Sequence, residues 1–151
     1  MHELRDRLLT SSPEEIGLGR EYAEAKVWGV MMEVAFPGGV ATIVSIRDGT
    51  ASLYTNTGGG ILGGYSAQQE AKRFVAAAEK HLASMKPTKT FPHPKVGNIT
   101  FYVLTREGVY SYEGGEPEIS SGQHALSPLF NAGNDVLSGL RSAAERQQRP
   151  N

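Results

Sequence analysis

Cysteine is absent from the 151 residues, which removes disulfides, thiol nucleophiles and thiolate metal sites together and suits a reducing compartment. Charge of one sign is also missing. Fifteen Lys and Arg oppose 16 Asp and Glu, for a formal net charge of -1, so neither the basic surface of a nucleic-acid binder nor a disordered polyion is indicated. No run of about 18 apolar residues occurs, and no membrane association is expected. The N-terminus, Met1-His2-Glu3-Leu4-Arg5-Asp6-Arg7-Leu8-Leu9, alternates charge with leucine and lacks the apolar core of a signal peptide, so the expected location is cytoplasmic.

What the chain does have is 39% hydrophobic residues and 18 glycines. At this length one core buries roughly two-thirds of the surface that the unfolded chain exposes. A single α+β domain is therefore expected over residues 1–151, with 1–12 an amphipathic or flexible arm and 146–151 a polar tail. Leu4, Leu8 and Leu9 share one side of a helix. Ser12-Pro13-Glu14-Glu15 is a capping box with proline at the first helical position, which predicts a weak helix over about 13–25. Val27 to Phe36 then changes to a period of two. Trp28, Val30, Met32, Val34 and Phe36 fall on one face and Val27, Gly29, Met31, Glu33 and Ala35 on the other, which reads as a central strand covered on both sides.

Strands are expected over 40–47 and 50–55, joined at Asp48-Gly49 by a type I′ turn. Ser66-Ala67-Gln68-Gln69 forms a second capping box, opening a helix that carries Ala71, Phe74, Val75, Ala78 and Leu82 to about residue 85. A proline-bearing connector follows, with His93 expected to be exposed between Pro92 and Pro94. A second hairpin spans 98–105 and 109–113, residues 118–119 add a short strand, and Ser127-Pro128 starts a last helix. The two hairpins echo each other, Arg47-Asp48-Gly49-Thr50-Ala51-Ser52 against Arg106-Glu107-Gly108-Val109-Tyr110-Ser111, which reads as convergent turn chemistry ahead of duplication. The sum is a mainly antiparallel sheet of five or six strands packed with three helices, in the order α-βββ-α-ββ(β)-α.

The segment most unlike ordinary fold-filling sequence is the glycine loop, with five glycines among residues 58–64. Gly58, Gly60 and Gly63 match G-x-G-x-x-G, but the loop follows a hairpin and lacks the parallel strand and acidic residue of a dinucleotide site. Two readings remain. One is a small-anion or nucleotide site made by Gly58, Gly59, Gly60, Gly63, Gly64 and Ser66 at a helix N-terminus. The other is a close-packed connection with Ile61 and Leu62 turned inward.

Other constellations point to less. The four histidines, His2, His81, His93 and His124, lack metal-binding spacing, so no metal or cofactor is expected. Ser120-Ser121-Gly122-Gln123-His124 brings hydroxyls near an imidazole without the elbow of a serine nucleophile. Glu113, Glu116 and Glu118 form a charged loop. Tyr110 and Tyr112 share one strand face beside Phe101, serving either as an exposed protein interface or as core.

In its order of elements the chain, from residue 13 to 145, resembles the roadblock, longin and profilin-like group. That resemblance implies a noncatalytic module, homodimeric, that binds a protein partner such as a small GTPase. The three-strand start departs from the roadblock pattern of two strands before the middle helix. A noncatalytic protein-binding or regulatory function is expected, with anion or nucleotide binding at the glycine loop as the alternative.

Overall fold

The structure is a computed structural model that describes residues 2–22, 24–56 and 62–148, with side chains over 5–22, 24–56 and 63–146. It is an α+β domain with one antiparallel sheet. The elements in chain order are α1 (His2–Thr10), β1 (Val27–Phe36), β2 (Gly39–Ile46), β3 (Ala51–Thr55), β4 (Leu62–Gly64), α2 (Gln68–Lys80), β5 (Lys86–Thr88), β6 (Asn98–Thr105), β7 (Gly108–Gly115), α3 (Glu116–Ser120) and α4 (Ser127–Gln148). The sheet order is β4-β3-β2-β1-β6-β7-β5. Among the described residues that makes seven strands and four helices, against the expected five or six and three. The additional strands are the three-residue edges, β4 and β5. Pro87 is tolerated in β5 because an edge strand leaves one side of its backbone unpaired. No helix of the described residues is long and apolar enough to cross a membrane.

Two apolar clusters lie on opposite faces. On one, Phe74, Val75, Ala78, Leu129, Val136 and Leu140 of α2 and α4 pack on Val30, Met32, Ile43, Phe101 and Val103. On the other, Leu8 and Leu9 of α1, with Leu18, pack on Trp28, Met31, Val44, Ile46, Tyr102 and Leu104. Trp28 does not share a face with Val30, contrary to the simple alternation. Val27 pairs with Thr105 and Gly29 with Leu104, so Trp28 is an extra residue, a bulge that turns its indole to the α1 side.

The expected helix over 13–25 is a single turn at 13–17 followed by a 3-10 turn over Arg20–Tyr22. Its capping box forms, with Glu15 N–H donating to Ser12 Oγ at 3.2 Å and Ser12 N–H donating to a Glu15 carboxylate oxygen at 3.0 Å. Gly17 at φ 87° then stops it, with Gly17 N–H bonded to Glu14 O and Leu18 N–H to Pro13 O; such a left-handed glycine closes a helix C-terminus. The 48–49 turn is not type I′, because Asp48, like every non-glycine among the described residues, lacks positive φ. Gly49 N–H donates to Ile46 O and Ile46 N–H to Thr50 O, the pattern of a three-residue loop with the left-handed residue in a bulge. Asp48 Oδ1, which accepts from the Thr50 amide and hydroxyl, holds this form.

Ser66 does not cap α2. The helix starts at Gln68 with Ala67 at its N-cap and no side-chain bond there, and it ends at Lys80, with a 3-10 turn over Leu82–Ser84. Residues 118–119 lie in α3, not in a strand, because Pro117 at its first turn suits a helix start. The paired arginines act alike. Arg47 donates to Val27 O, and Arg106 donates to Ala25 O and Tyr22 O, so the two turns grip the chain from both sides where it enters β1.

Candidate functional site

The strand registers align one polar residue from each of five neighbouring strands. Tyr54 pairs with Thr42, Thr42 with Glu33, Glu33 with Thr100, and Thr100 with Glu113. Directly paired residues project on the same face of a sheet, here the α1 face, so a polar row runs between the apolar side chains of Met31, Val44, Ile46 and Leu104. At its centre Glu33 is wholly inaccessible. A buried carboxylate demands partners, and α1 supplies the main one.

Arg5 Nε lies 2.7 Å from Glu33 Oε2 and its Nη2 lies 3.0 Å from Oε1, a bidentate ion pair. Thr42 Oγ1 donates to Oε2 at 2.8 Å. His93 Nδ1 stands 3.4 Å from Oε1, so His93 turns in towards the row rather than standing exposed between its prolines. Arg5 Nη2 also donates to Phe91 O at 2.6 Å, and its guanidinium sits 5.7 Å from the centre of the Tyr102 ring. Burial alone would lower the Arg5 pKa, but the Glu33 contacts outweigh it and the net shift is upward. Tyr102 donates its hydroxyl to Pro92 O. Burial first, and then the Glu33 charge, push its pKa up to about 12 against the opposing pull of Arg5. Burial likewise raises Tyr54. The hydroxyls of Tyr54 and Thr100 are buried with no hydrogen-bond partner among the described residues.

The cover over this row is thin. α1 has nine residues, and its buried described side chains are Arg5, Leu8 and Leu9, at i, i+3 and i+4 on one face. Leu4 belongs to the same helix, but its side chain lies outside the described residues. Two clefts flank α1: one of about 350 Å³ beside Leu9, Pro13, Trp28 and Leu104, and one of about 300 Å³ beside Arg7, Leu18 and Ile46. The sheet face is thus wider than the helix upon it.

The residues singled out from sequence are elsewhere. Gly58, Gly59, Gly60 and Ile61 lie outside the described residues. Gly63 and Gly64 form the edge strand, opposite Ser52 and Ala51. Ser66 is exposed, and Glu70 already complements the positive end of α2. Tyr110 and Tyr112 are half-buried and pack on the α2 and α4 cluster.

The Tyr112 hydroxyl is 3.0 Å from His124 Nε2, while His124 Nδ1 accepts from Leu126 N–H. Nδ1 as acceptor puts the neutral ring's proton on Nε2, which donates to Tyr112. Both ring nitrogens are then engaged, and Ser120 Oγ and Ser121 Oγ donate to Pro117 O and Glu118 O, so neither of these hydroxyls bonds to the imidazole. Glu113 accepts from Asn98, away from any pairing with Glu116 or Glu118. Among the described residues no group of three His, Asp or Glu side chains is arranged to hold a metal.

Arg5, Glu33 and His93 were not singled out from sequence as a site. The available signal was Glu33, the one charged residue in a strand that reads as covered on both faces. These observations define an α+β protein whose central sheet face is closed by a short helix through a buried ion pair. No known protein family, curated protein or solved structure matches the chain, and its functional reading rests on this geometry.

Proposed function

We propose that the chain is a noncatalytic, cytoplasmic protein-binding or regulatory module, and that its binding face is the sheet surface beneath α1, which α1 occupies as a built-in ligand. The observation that carries this reading is the pairing of Glu33, wholly buried at the centre of the face, with one arginine of a nine-residue helix. A helix this short has marginal stability alone, so it holds its place by docking. Replacing a buried ion pair with apolar side chains is often neutral or stabilising, and the best-attested use of such a pair is to fix a register or a switch. Binding is favoured over catalysis because Glu33 has both oxygens engaged and no route to solvent. The clefts beside α1 extend the face beyond the present occupant.

The test uses the full chain carrying Arg5→Ala and a fluorescent peptide of residues 1–12. Removing the guanidinium takes the bidentate partner from buried Glu33 and leaves it only Thr42 and His93, a cost of up to about 3–5 kcal/mol that loosens α1. Fluorescence anisotropy is expected to show the peptide binding this variant and not the unmodified chain. A folded Arg5→Ala protein with exposed α1 amides and no affinity for the peptide contradicts the reading.

A further inference from the structure

We infer that the helix this face accepts from outside is α1 of a second copy of the chain, the two copies exchanging their first helices reciprocally. This rests on the reading of the α1-covered face as a binding surface. The face selects a helix with a guanidinium at one position and leucines three and four residues on, which is the pattern of Arg5, Leu8 and Leu9. The same helix from a second copy loses none of these contacts, and reciprocal exchange closes with twofold symmetry.

The chain is built to release α1 as a unit. The segment after it is fastened independently: Pro13 and Leu18 are buried, Glu14 pairs with Arg106 at 2.9 Å, and Arg106 holds Tyr22 O and Ala25 O. The capping box ties Ser12 to Glu15. Between the two anchored pieces lie only Thr10, whose hydroxyl bonds back to Asp6 O, and half-buried Ser11. Pro13 biases Ser12 towards extended backbone, so α1 cannot run on into the following turn and the hinge is confined to residues 10–12. Straightened, those three residues reach about 10 Å.

Among the described residues the exposed large hydrophobics are Phe36, Tyr65 and Val96, which stand apart at the end of β1, after β4 and before β6. The face under α1, where Trp28, Met31, Val44, Ile46, Tyr102 and Leu104 surround the Glu33 row, is reached when the helix leaves.

A charge-swapped pair of full chains tests this. Glu33→Arg puts a basic group on the face beneath a basic helix, and Arg5→Glu puts an acidic helix over an acidic face. Neither variant can pair its own helix with its own face, whereas a mixture exchanging α1 satisfies both. Light scattering on each variant alone is expected to give the 16.3 kDa of one chain. The equimolar mixture is expected to double that mass, with both variants present one to one. Two separate folded monomers in the mixture would overturn the proposal. Should Glu33→Arg fail to fold alone, recovery of folded dimer on mixing supports exchange.

Deleting Ser11 and Ser12 from the otherwise unmodified chain gives a second measure. Dimers are expected, because the shortened hinge cannot return α1 to its own face, and a monomer with α1 amides protected from hydrogen exchange overturns the proposal. A peptide of residues 1–12 carrying Arg5→Glu separates the two readings. If it binds the Glu33→Arg chain while the mixture stays monomeric, the face binds a helix without exchange. If it does not bind, both readings fall.

Discussion

Thr42 and Thr100 flank Glu33 on the two neighbouring strands, at the same depth, and differ in one respect. Thr42 donates to the carboxylate, and the Thr100 hydroxyl has no partner among the described residues. A hydrogen bond to a charged group contributes about 1.5–3 kcal/mol, whereas an unpaired buried hydroxyl carries its desolvation cost with no return. Valine has the shape of threonine without the hydroxyl. Thr42→Val is therefore expected to lower stability by about 2 kcal/mol, and Thr100→Val to leave it unchanged or raise it by about 1 kcal/mol, read from urea unfolding. Equal losses at the two sites would mean that Thr100 is paired.

Tyr102, together with Tyr54, makes stability depend on alkaline pH. Its raised pKa means that the folded state holds the phenolic proton more tightly than the unfolded state, so its contribution is complete below the unfolded value. That contribution is lost as pH rises from about 10, the unfolded value, towards the folded value of about 12. Tyr102→Phe is expected to reduce the steepness of alkaline destabilisation by about 1.4 kcal/mol per pH unit in that window. An unchanged slope would show that Tyr102 ionises equally in both states.

Among the elements, legibility in the sequence follows the range of the interactions that form them. α2 is recognisable from Ala71, Phe74, Val75 and Ala78 because its spacing is local and its buried face continuous. β1 is recognisable from its alternation, but the Trp28 bulge is imposed by pairing with β6, and no feature of residues 27–36 alone announces it. The box at Ser12 and Glu15 is correctly formed, yet Gly17 ends it within a turn, so a sound start signal did not specify a helix. β4 and β5 are short because they are stitched to edges by neighbours, β5 despite its proline. Of the candidate site, Glu33 is visible as a charge in an apolar strand. Arg5 and His93 come 28 residues earlier and 60 residues later in the sequence, and only the strand order, with α1 and the connector crossing the same face, brings them to it.

On the scale of the whole molecule, the sheet has one face closed by two packed helices and the other closed by a short helix, a turn and a connector. The first face is stabilised chiefly by apolar contact. The second has a polar row at its middle and an ion pair as its latch. A structure with this asymmetry is expected to open from one side, since local stability follows the number of buried apolar contacts and segments with few of them unfold below the global free energy. Native-state hydrogen exchange on the full chain tests this most directly, by comparing the amides of α1 with those at the centres of β1 and β6. The account predicts that α1 amides exchange through an opening of lower free energy, insensitive to low denaturant, while the strand amides require global unfolding. Exchange of α1 with the same free energy and denaturant dependence as β1 and β6 would contradict it.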